Sequence, residues 1–147
     1  MSNNTLKWTA LQTAAVISNT TATAAAGYAT PATVYDNSLA TTLDQYGFLS
    51  LDLASLAVAN PGYVTFFGIP SFDGTNYPDA PAATNPAQDL VVGTVSTATT
   101  TAAHILNCGP FRISPTKYKF AFQNQLGVAL SNSTNTLTFR AADDMVL

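Results

Sequence analysis

The chain has 147 residues, enough for one domain, and only 9% of them are charged, with no Glu at all, against roughly 25% in an average soluble protein. Its net charge of −3 and five scattered basic residues supply no phosphate-tracking stripe, which excludes nucleic acid as an expected partner, and no apolar run approaches the roughly 20 residues that span a bilayer. The single cysteine, Cys108, excludes an intramolecular disulfide framework and suits a reducing cytoplasm.

Exposed helix faces are normally written with Glu, Lys, Gln and Arg, which lose little rotamer freedom and pair one turn apart. Here the polar filler is Thr, Ser and Asn, spread among Val, Tyr and Phe, a mixture that suits strand faces and turns. Residues 1–30 are Ala- and Thr-rich. Trp8, Leu11 and Ala15 fall at helical spacing, but β-branched Thr9, Thr13, Val16 and Ile17 oppose a helix, so this segment reads as an extended arm or edge strand before a single domain at 31–147. Lys7 followed by residues 11–17 and Ala24-Ala25-Ala26 imitates a signal peptide, yet Gln12, Thr13 and the polar run 18–21 interrupt its apolar stretch. No leader is expected.

Residues 24–34 contain Gly27 and Pro31 and read as a short strand and turn, and Asp36-Asn37-Ser38 as a further turn. Tyr46, Phe48, Leu49, Leu51 and Leu53 mark a strand with Ser50 and Asp52 on its other side; after the Asn60-Pro61-Gly62 turn, residues 63–69 form a strand that is apolar on both faces. The two are expected to make a sequential hairpin. Pro70 is expected to end the second strand and to open a long loop, 71–85. Residues 90–95 return as a strand, and 104–107 form a short one before Gly109-Pro110. In Lys117-Tyr118-Lys119-Phe120-Ala121-Phe122-Gln123 three aromatics alternate with polar residues, the pattern of a strand with one buried face. A break at 124–127, a strand at 128–130, a turn at 131–133 and a final alternating strand at 134–141 complete a predicted meander. Seven or eight strands separated by turns give an all-β chain, a β-sandwich or jelly-roll-like domain with an extended N-terminal arm.

Chemistry-bearing residues are few. Asp73, Asn76 and Asp79 offer the hard oxygen ligands that Ca²⁺ prefers, but three fall short of the six or more it takes, and Asp73-Gly74 is equally a tight-turn signal. The string therefore reads as a structured loop anchored by Phe72 and Tyr77, with no metal or other cofactor expected. His104 and Cys108 stand four apart around a strand end, on one side, and resemble a base and nucleophile, but no third orienting group can be named. The chain is read as a non-enzyme. Tyr63, Phe66, Phe67, Tyr77 and Trp8 are the candidate interaction residues: the apolar second face of 63–69 needs a second sheet or another subunit to cover it, and exposed Tyr and Trp side chains can line a sugar site.

The string Asp73-Gly74-Thr75-Asn76-Tyr77-Pro78-Asp79, with Pro115-Thr116-Lys117-Tyr118-Lys119-Phe120 and Asn124-Gln125-Leu126-Gly127-Val128-Ala129-Leu130 leading to Ser133-Thr134-Asn135-Thr136-Leu137, resembles a family of small virion-associated proteins of tailed bacteriophages. The resemblance covers about residues 33 to 140, beginning near Tyr35-Asp36-Asn37, while residues 1–30 depart from the family's pattern. It implies a jelly-roll-like structural protein, made in the bacterial cytoplasm and placed on the virion surface as a capsid decoration or cement protein. Its implied partners are further copies of itself and the major capsid protein. A tail or neck adaptor is the alternative, and a carbohydrate-binding module for host attachment a second one.

Overall fold

The computed structural model describes residues 4–8, 12–17, 28–29, 33–39, 43–53, 62–77, 90–97, 102–130 and 135–146. Ten strands lie among them: β1 (Asn4–Trp8), β2 (Gln12–Ile17), β3 (Tyr28–Ala29), β4 (Tyr35–Asp36), β5 (Tyr46–Leu53), β6 (Gly62–Ser71), β7 (Val91–Thr97), β8 (His104–Arg112), β9 (Lys117–Gln125) and β10 (Asn135–Val146). No α-helix occurs among the described residues, as expected of a chain without Glu.

The strands form two antiparallel sheets. In sheet A the order is β10–β5–β8, with β1 and β2 sharing the outer side of β10; in sheet B it is β9–β6–β7, with β3 and β4 sharing the outer side of β9. β1 and β2 act as one interrupted strand, pairing 142–146 and 135–139 of β10 in turn, so the segment read as an arm or edge strand lies along the sheet. Successive strands pass from one sheet to the other at every step from β4 onward except β6 to β7, which is a jelly-roll-like interleaving.

Two expected hairpins are corrected by this topology. β5 and β6 lie in different sheets, where Leu49, Leu51 and Leu53 join Val64 and Phe66 in one core, face to face instead of edge to edge. β9 and β10 also belong to different sheets, so the predicted meander does not form. Residues 128–130 are not a strand. Their path is set by Asn124, fully buried, whose Oδ1 accepts the Leu126 N–H at 3.0 Å and whose Nδ2 donates to Val128 O at 2.8 Å, with Gly127 at φ +75° in the left-handed region. Leu126 and Leu130 then plug the end of the core.

Two prolines were expected to break strands and do not. Pro70 stays in β6 because the pairing with β7 stops at Phe67, which leaves a side where a missing N–H is tolerated. Pro110, after a cis peptide, stays in β8 because β8 is an edge strand.

The core between the sheets is a column of rings. Phe139 of sheet A stacks on Phe120 of sheet B with centroids 4.3 Å apart and packs against Tyr35 at 4.5 Å, and Tyr118 stacks on Phe120 at 5.8 Å. The inward set Tyr118, Phe120 and Phe122 expected from alternation is buried. Phe67, Ile69 and Ala121 form a second cluster on the outer face of sheet B, and Tyr77, Leu90 and Val91 pack over it. The apolar second face of β6 is thus covered by the ends of the chain's own β6–β7 connection.

Candidate functional site

At one end of the sandwich, residues 37–39 and 43–45, the Ser71 end of β6 and residues 113–116 are tied together by hydrogen bonds. Asn37, fully buried, donates through Nδ2 to Asp44 O and Ser114 O, both at 2.9 Å, and accepts the Asp44 N–H at 2.8 Å; its own N–H reaches Thr116 O at 3.1 Å. Tyr35 donates its hydroxyl to the Asp44 carboxylate, and Thr116 donates its hydroxyl to Ser71 O. Burial first, and then the bond to Asp44 and its charge, push the Tyr35 hydroxyl far above the ordinary tyrosine range.

In the 72–77 loop the Asp73 Oδ1 accepts the Asn76 N–H at 2.7 Å, the Thr75 N–H at 2.8 Å and the Ser71 hydroxyl at 3.1 Å, and Oδ2 accepts from the Asn76 side chain. These bonds, led by that of the Asn76 backbone, hold its carboxyl well below the usual range. Gly74, at φ +75°, supplies the turn that Asp73-Gly74 predicts. Asp73 and Asn76 therefore meet, as a turn that satisfies its own carboxylate; Asp79 lies outside the described residues. Among the described residues no three His, Cys, Asp or Glu side chains gather as a metal group.

Of the two residues expected to anchor this loop, Tyr77 does so. Its ring lies on the outer cluster of sheet B with the Lys119 Nζ 4.4 Å from the centroid. Phe72 does not: at 87% exposed it projects from the loop into solvent. Beside it a polar groove of about 260 Å³ runs between Ser38, Asp73, Thr116 and Lys117, where Lys117 Nζ stands 3.5 Å from the Asp36 carboxylate. Leu39 and Leu43, 53% and 51% exposed, belong to the neighbouring 37–45 connection.

The other candidate interaction residues scatter. Phe66 and Phe67 are fully buried, one in each core cluster, and are corrected to packing residues. Tyr63 is 42% exposed at the start of β6, the end of sheet B opposite to Tyr77, and Trp8 pairs with Ala142 in sheet A. Tyr63 and Tyr77 thus stand at opposite ends of sheet B. His104 and Cys108 lie on one face of β8 but roughly 13 Å apart along it. The His104 Nδ1–H donates to Ala102 O at 3.0 Å and Nε2 meets the Thr97 hydroxyl at 3.2 Å, while Cys108 is buried in the core, which pushes its thiol up.

Sequence reasoning missed a pocket on the outer face of sheet A. Phe48, Ser50, Asn107, Gly109, Thr138 and Arg140 surround an apolar hollow of about 220 Å³ floored by Leu49 and Cys108. The register slips between Gly47 and Leu49 against β8, so Phe48 sits at a bulge. Gly109, at φ +136°, leaves room for it: a Cβ there would fall 2.9 Å from the Phe48 ring. The Gly109-Pro110 pair is the sequence signal, read as a strand end when it is an edge irregularity.

In the sequence, the runs 18–27, 54–61, 98–103 and 126–134 contain no Asp, Glu, Lys, Arg or His. No helix among the described residues is long and apolar enough to cross a membrane. Neither a protein-family model nor a curated protein matches this chain.

Proposed function

We propose that this chain is a non-enzymatic structural protein of a tailed-phage virion, a decoration or cement protein that binds the outer capsid lattice as an oligomer and stabilises it. The observation that carries the reading is the scarcity of charge: only 9% of the residues are Asp, Glu, Lys or Arg, so a partner can cover the surface with little charge to desolvate. Protein interfaces show this depletion of charge at their centres. The all-β sandwich and the resemblance of its turn and strand strings to small virion proteins agree with that role.

The mechanism is linkage. A protein that binds the assembled shell better than its free subunits shifts the equilibrium toward the shell by the difference in binding free energy. The major capsid protein is the partner. The separation of Tyr63 and Tyr77 at opposite ends of sheet B weighs against a sugar groove built from those two.

Copy number in purified particles tests the proposal. Quantitative mass spectrometry is expected to find the chain in hundreds of copies per virion, with density on the head surface by electron microscopy. A handful of copies would assign it to the neck or tail instead, since a closed ring there holds few subunits, and absence from particles would sink both readings.

A further inference from the structure

The turn at Asp73-Gly74 joins two groups that react with each other. Gly74 follows Asp73 directly, and glycine has no Cβ to hinder the approach of its nitrogen to the neighbouring carboxyl carbon. Asp73-Gly74 is the one Asp-Gly pair in the chain, and the sequence has no Asn-Gly pair. Asp73, Thr75 and Asn76 are exposed, so water reaches the loop.

In the reaction the Gly74 nitrogen bonds to the Asp73 Cγ and gives up its proton, while one carboxyl oxygen leaves as water, which closes a cyclic imide. Water then opens the ring. Attack at Cγ restores Asp73, and attack at the backbone carbonyl carbon leaves isoaspartate, in which the chain runs through Cβ and Cγ and the free carboxylate sits on Cα. Neither oxidant nor cofactor enters. Closure goes through the neutral acid, because an ionised carboxylate is a poor acceptor for a nucleophile.

The folded loop opposes the first step. Asp73 Oδ1 accepts the Asn76 N–H at 2.7 Å, the Thr75 N–H at 2.8 Å and the Ser71 hydroxyl at 3.1 Å, and Oδ2 accepts from the Asn76 side chain. These bonds hold the carboxylate toward Thr75 and Asn76 and keep it ionised. We propose that Asp73-Gly74 is this chain's site of spontaneous isoaspartate formation, held shut by the bonds on Asp73 and released when the 72–77 loop opens. The product does not rebuild the turn, since its backbone is one atom longer and its carboxylate one atom shorter in reach. Each event therefore removes the base from which the exposed Phe72 projects. The inference is independent of the virion role.

Peptide mapping by mass spectrometry, with an isoaspartyl methyltransferase to mark the product, measures the rate on the full chain at neutral pH in native buffer and in concentrated urea. In urea the mark is expected at the 73–74 bond, and Gly74→Ala, whose Cβ hinders the attack, is expected to slow its appearance there severalfold. Native wild type is expected to react more slowly than the urea-unfolded chain by about tenfold or more, the scale of breaking hydrogen bonds to a charged acceptor. Asn76→Ala and, independently, Ser71→Ala each remove one donor to the Asp73 carboxylate. Each is expected to raise the native rate severalfold and to leave the rate in urea unchanged, with far-UV circular dichroism and thermal unfolding to check that it folds. A native rate equal to that in urea, or one that neither variant moves, overturns the guarding role of the turn. A mark that gathers elsewhere in the unfolded wild type overturns the site itself.

Discussion

Tyr35, Asn37 and Asp44 show how much can hang on residues that a sequence presents as a turn. Asp36-Asn37-Ser38 has turn chemistry, and Asp36 does accept the Ser38 N–H at 3.0 Å and hydroxyl at 2.6 Å. The burial of Asn37 could not be read, because one of its partners, Ser114, lies 77 residues away. Tyr35→Phe leaves the Asp44 carboxylate without its hydroxyl donor and is expected to cost about 1–3 kcal/mol in urea unfolding. The same bond gives a pH signature. The Tyr35 hydroxyl is raised in the folded state, so its contribution is fully present below the unfolded tyrosine value of about 10 and falls as pH rises above it, where the unfolded chain releases the proton first. Unfolding midpoints measured from pH 8 to 11 should decline in the wild type, and less steeply in Tyr35→Phe. The buried thiol of Cys108 acts with the same sign.

At the scale of strands, the contact between β7 and β8 closes one side of the sandwich, where the edges of the two sheets meet. Gly93 of β7 is what lets them approach, since a Cβ there would lie 2.5 Å from the Cys108 sulfur. Gly93→Ala is expected to destabilise by about 1–3 kcal/mol through overpacking. Removing the sulfur in Gly93→Ala with Cys108→Ala should recover part of that loss, and a double-mutant cycle on unfolding free energies measures the coupling. If the second substitution only adds to the first, the two strands do not meet through this pair. Period-2 alternation located β5 and the first part of β10 because each has one wetter face, and β9 because half-buried Lys117 and Lys119 alternate with buried rings. It gave no pairing, since adjacency in the chain favours hairpins and a jelly roll sends neighbours to opposite sheets. The exposure of Phe72 was equally hidden: an aromatic beside an Asp-Gly turn reads as an anchor until the backbone shows which way it leaves the loop.

At the scale of the whole molecule, the scarcity of charge is visible as composition. The pocket on sheet A was illegible, since Phe48, Asn107 and Arg140 come from three strands far apart in the chain. β10 has a further consequence. It follows the other described strands in the chain, yet it stands in the interior of sheet A, between β5 on one side and β1 and β2 on the other. Until residue 135 and beyond have emerged, β5 and β8 can pair in that sheet but β1 and β2 have no partner strand. Nearly all native contacts join distant residues, so refolding is expected in milliseconds to seconds instead of microseconds. A stopped-flow chevron measures that rate, and a chain cut before Asn135 should show no cooperative transition. Such a protein commits to its shape late and all at once.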